Sequence, residues 1–161
     1  CKQQDTDQYV KVAASLGIEE DRAVAREHYA AVAQLGFPVG MHNLARMHKF
    51  GQGGATDWDE ASKYFKQASD LGYADSTHNL AVMHLAGASV GWSGAGTVAE
   101  ATELVEKAAK AGQDNSAELL KAIRQPGGLE ATVEFFRENF APLFAGVQSA
   151  SGADDDTPDL S

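Results

Sequence analysis

Residues 41–51 read Met41-His42-Asn43-Leu44-Ala45-Arg46-Met47-His48-Lys49-Phe50-Gly51. Residues 77–87 read Thr77-His78-Asn79-Leu80-Ala81-Val82-Met83-His84-Leu85-Ala86-Gly87. At this offset of 36 residues, seven of eleven positions are identical, where chance gives about one. A period of that length is the mark of a solenoid, in which a short unit stacks on copies of itself. Gly36 and Gly72, each after a leucine, keep the same offset.

The sequence between these stretches repeats as well. Ala61, Tyr64, Phe65, Ala68 and Gly72 stand 36 residues after Ala25, His28, Tyr29, Val32 and Gly36. They stand 40 residues before Ala101, Leu104, Val105, Ala108 and Gly112. The four additional residues fall in the loop that contains Gly91-Trp92-Ser93-Gly94.

Each half-unit has helical periodicity. Ala61, Tyr64, Phe65 and Ala68 form an i, i+3, i+4, i+7 stripe, which places apolar groups on one helix face. Asp57 with Glu60, and Thr97 with Glu100, have the spacing of helix N-caps. Gly72 and Gly112 suit the left-handed position just beyond a helix end. Glu103–Lys107 and Glu106–Lys110 have the favourable i, i+4 order. The pattern predicts helices over residues 5–16, 21–35, 38–50, 58–71, 74–86, 98–111 and 114–125. Pro126-Gly127-Gly128 ends the array, and a further helix is expected from Leu129 to Phe140, before Pro142.

These residues resemble the Sel-one-like repeat family, a relative of the tetratricopeptide repeats. The carrying motifs are Asn43-Leu44-Ala45-x-x-His48-x-x-Gly51, its copy Asn79-Leu80-Ala81-x-x-His84-x-x-Gly87, and Ala61-x-x-Tyr64-Phe65-x-x-Ala68-Ser69-x-x-Gly72. Alanine stands at 45 and 81 where the family has glycine, and histidine at 48 and 84 where it has tyrosine. Leu104 and Val105 replace its aromatic pair. The resemblance implies an all-α, right-handed superhelical solenoid of about three helix-pair repeats plus a C-terminal capping helix. It also implies protein binding and complex assembly, and names no partner.

The expected organisation is a tether or processed end over 1–6, the repeat array over 7–125, a capping or docking helix over 126–148 and an acidic tail over 149–161. The chain carries 23 Asp and Glu against 13 Lys and Arg, a net charge of -10. Such a charge repels phosphates and argues against nucleic acid as a partner. No apolar run approaches the roughly 20 residues that span a bilayer. The single cysteine, Cys1, allows neither a disulfide framework nor a cysteine-built zinc site. It is compatible with a lipidated envelope protein, with an end left by organelle import, or with an arbitrary boundary. Membrane attachment is expected only if Cys1 is lipidated.

Of the chemically capable residues, His42, His48, His78 and His84 invite a metal reading. A separation of six residues along a helix turns by about 600°, so the two in each pair face different ways. Packing is therefore the expected role, with a histidine-based metal-dependent hydrolase as the rival reading. The glycine-rich stretch 87–96 lacks the Gly-Lys-Ser/Thr ending of a phosphate loop. Glu130, Glu134 and Glu138 read as a solvated helix face. No catalytic residue, metal ligand or cofactor is expected.

Partner-binding candidates are Arg46 and Lys49, their repeat equivalents Val82 and Leu85, and Trp92. Trp92 either folds back on its helices or serves as a contact, since tryptophan is enriched at interface hot spots. Phe136, Phe140 and Phe144 join them from the Phe-rich C-terminal segment, which either caps the last repeat or docks into a partner. The expected function is a non-catalytic scaffold, adaptor or subunit of a multiprotein assembly. An envelope lipoprotein is the alternative.

Overall fold

A computed structural model of the chain describes residues 19–90 and 92–148. The first expected helix (5–16), Cys1 and the acidic tail lie outside the described residues, as does the side chain of Phe144. The described residues form helices α1 (Glu19–Gln34), α2 (Pro38–Phe50), α3 (Trp58–Asp70), α4 (Ala74–Val90), α5 (Val98–Lys110), α6 (Asp114–Ile123) and α7 (Gly128–Gln148). Each of α1 to α6 packs on its neighbour in the chain, as stacked helix hairpins must.

Helix ends follow the local chemistry. The Asp57 carboxylate accepts the amide of Glu60, and Thr97 and Glu100 close a full capping box. Gly36, Gly72 and Gly112 hold φ of 83°, 86° and 87°, a left-handed geometry that glycine adopts without steric cost. Glu106 departs from expectation. It pairs with Arg124, the residue that caps the end of α6, at 3.0 Å, a contact between units of the chain that the i, i+4 rule does not anticipate.

Stacking is set by size. Ala45, Ala61, Ala68, Ala81, Ala101 and Ala108 are all fully buried. At these positions only a methyl group lies between helices, so their axes can approach closely. Between them sit the large fully buried side chains Phe65, Leu44, Met83, Leu85 and Val105. Removing each from water stabilises the fold by about 1.5–3 kcal/mol. One apolar cluster joins Tyr29, Met41, Leu44, Met47 and Ala68, and a larger one runs from Trp58 and Phe65 to Ile123 and Phe136.

The four-residue excess between units is absorbed as helix. α2 has 13 residues and α4 has 17, whereas α3 and α5 have 13 each. Four residues are close to one helical turn, so α4 gains a turn and runs beyond the expected end at residue 86. The two equivalent glycines therefore do different work. Gly51 ends α2 with φ of 64°. Gly87 stays inside α4, where a Cβ would lie 2.6 Å from the Trp92 ring.

The last helix departs furthest from expectation. α7 passes through Pro142 and ends at Gln148, not at Phe140. A proline inside a helix removes one backbone hydrogen bond, here to the carbonyl of Glu138. Pro142 and Glu138 are both exposed, so water can satisfy that carbonyl. α7 also leaves the stacking order: its main neighbour is α4, with a smaller contact to α6.

Candidate functional site

The first helices of successive units, α2, α4 and α6, are joined by one repeated bond. His42 Nδ1 meets Ser76 Oγ at 2.8 Å, and His78 Nδ1 meets Ser116 Oγ at 2.7 Å. His42 packs edge-on to Phe65 at 5.5 Å and beside Tyr73 at 5.1 Å. Burial, reinforced by the charge of Arg46, pushes its pKa down to about 4, with Asp75 opposing. His78 is lowered by burial and then by Lys49, again against Asp75.

The second histidine of each pair fastens the loop that follows its helix. Gly96 N–H donates to His84 Nδ1 at 2.8 Å, so this nitrogen carries no proton. Arg26 Nη2 donates to His48 Nδ1 at 3.2 Å, to Met47 O at 3.3 Å and to Ala55 O at 3.0 Å. A guanidinium has no acceptor, so His48 must accept as well. Burial lowers both imidazoles, which keeps them in the neutral form these bonds need. His48 stacks on Tyr64 at 6.0 Å and His84 on Trp92 at 6.2 Å. Among the described residues no group of three or more His, Cys, Asp or Glu is arranged to hold a metal ion.

Several partner-binding candidates are placed differently from the expectation of a free surface. Trp92 is 8% exposed. Its ring meets Trp58 edge-on at 5.6 Å, and its Nε1 donates to Asp59 at 3.1 Å. It folds back because a ring of this size has an apolar slot to fill above Gly87, with a carboxylate in reach of its N–H. Leu85 is fully buried, and Val82 is half-buried against the same core. The change from Arg46 to Val82 thus runs from surface towards core, whereas 49 and 85 are both buried. Phe136 is buried and Phe140 half-buried, both on the face of α7 that packs on the core.

Arg46 is exposed, as expected, but Lys49 is only 7% exposed. Its ammonium lies 5.2 Å from the Phe50 ring and 5.5 Å from that of Phe140. Burial, followed by the like charge of Arg46, lowers its pKa to about 8. Phe50 and Phe140 flank this point from α2 and α7, and Phe50 is 49% exposed; Phe135, 58% exposed, lies further along α7 against Phe136. Phe135, Phe136 and Phe140 are in contact at 5.6 Å and 5.8 Å, and Phe140 touches Trp58 at 6.3 Å.

Comparison of the sequence with protein-family models and with curated proteins finds no match. Solved structures do match. A Sel1 repeat protein from Oxalobacter formigenes aligns over 78% of this chain with a TM-score of 0.60 and 20% identity. A protective antigen present in uropathogenic Escherichia coli strains, which displays the SLR fold, aligns over 87% with a TM-score of 0.62 and 22% identity. The fold is that of the Sel1-like repeats. The chain spans 52% of the first structure and 30% of the second. The Sel1-like register accounts for the repeated His–Ser bond, since Ser76 and Ser116 stand at the same 40-residue offset as Ala68 and Ala108. That offset is the signal by which the sequence alone could have found them. No sequence signal marks the meeting of Lys49 with Phe140.

Proposed function

We propose that this chain is a non-catalytic protein-interaction scaffold, an adaptor or structural subunit of a larger assembly, and that it binds where α2 meets α7. The observation that carries this reading is the pair of rings, Phe50 and Phe140, that meets there around Lys49. Phe50 stays about half exposed at that point and Phe140 is only partly buried, and aromatic side chains on a surface are typical interface anchors. The four repeat histidines, by contrast, are engaged in bonds that hold units and loops together. No helix among the described residues is long and apolar enough to cross a membrane.

Purification of the tagged full chain from its native cells tests the reading. A chain recovered with the wild type and lost from a Phe50→Ala variant supports it. Equal recovery with both places the interface elsewhere. Stoichiometric zinc on the purified wild type, lost in a His48→Gln, His84→Gln variant, favours a metal enzyme instead.

A further inference from the structure

Lys49 is a buried cation with no anion beside it among the described residues. The ammonium makes no hydrogen bond or ion pair to any described residue. Arg46 repels it, and Asp75 acts on His42 and His78 instead. His78 is occupied by Ser116. Two phenyl rings offset only part of its desolvation, since a cation–π contact is weaker than the cost of burying an unpaired charge. The net charge of -10 repels acidic groups from the chain as a whole, and Lys49 with the neighbouring Arg46 is a basic exception to it. Lys49 keeps 7% of its surface exposed, and Arg46 and Phe50, its neighbours in the last turn of α2, are both exposed.

We propose that Lys49 anchors a carboxylate of a partner protein, carried on an acidic peptide segment that lays an adjacent apolar side chain against Phe50 and Phe140. This deepens the scaffold reading above and rests on it. The segment completes the charge that the fold leaves unpaired, and Arg46 at the exposed edge draws it in. The flanking rings exclude water around the ion pair, which strengthens it.

The test selects short random peptides displayed on phage against the immobilised full chain and against Lys49→Met in the same full chain. The expected result is enrichment of peptides with Asp or Glu beside an apolar residue, reduced about tenfold or more by Lys49→Met. The melting midpoint of Lys49→Met should rise, because a buried unpaired charge is replaced by an apolar side chain of similar length. A lower midpoint gives Lys49 a structural role and overturns the proposal. Enriched peptides without carboxylates, or equal enrichment on both proteins, overturn the carboxylate site and leave the scaffold reading standing. No enrichment at all overturns both. Enrichment that appears only when Asp154, Asp155 and Asp156 are changed to asparagine assigns the site to the chain's own acidic segment, against a partner.

Discussion

Acid should loosen the contact between repeat units, and His42 should carry the largest share. In the fold its imidazole is packed against Phe65 and Tyr73, bonded to Ser76, and held to a pKa of about 4 against an ordinary 6.5. The unfolded chain binds a proton below about pH 6.5 and the folded chain does not, so stability falls as pH falls through that window. Between pH 8 and pH 5 this one group removes about 2 kcal/mol. His48, His78 and His84 are lowered too and act in the same direction. Glu100 is lowered by its bonds to Thr97, so its contribution is lost only below the usual carboxylate range and lies outside the window. His42→Gln keeps a side chain able to reach Ser76 and removes the titration. Urea denaturation at pH 8 and pH 5 should show the pH-dependent loss shrinking by about 2 kcal/mol in the variant. An unchanged loss, or a His42 proton-resonance midpoint near 6.5, would refute the buried neutral imidazole.

Trp92→Ala should destabilise the protein by about 3–5 kcal/mol in urea, as truncation of a buried large aromatic does, and a loss near zero would return Trp92 to the surface. Gly87→Ala should be costly in the wild type and much less so beside Trp92→Ala, whereas Gly51→Ala, opposed by its own backbone geometry, should cost the same about 1–2 kcal/mol in both backgrounds. Ala68→Leu should cost about 1–3 kcal/mol by overpacking the helix contact, and an unchanged melting midpoint would put Ala68 on the wrong face. Deleting residues 128–161 should uncover the apolar face of α4 and α6, seen as lower solubility and binding of an apolar dye. A truncated protein as soluble and stable as the parent would mean that α7 covers little.

Local order was legible in the chain because it depends on neighbours in sequence. The 36-residue identity and the Ala61–Tyr64–Phe65–Ala68 stripe specify helix pairs and the face each buries. The caps at Asp57 and Thr97 and the glycines at 72 and 112 specify where those helices stop. A solenoid makes this unusually complete, since each unit touches mainly the next one. What the sequence left open were the contacts made outside that nearest-neighbour order. Trp92 reads as a loop residue until the extra turn of α4 sets its ring above Gly87 and against Trp58. Lys49 and Leu85 occupy equivalent positions facing alike, and nothing in either stretch says that α7 will return across the first helices. That return is decided by the apolar surface left by α4 and α6 at the end of the array, which Phe136 and Phe140 cover. It brings the Phe140 ring to Lys49, a contact made by a residue far along the chain and so not written in the repeat.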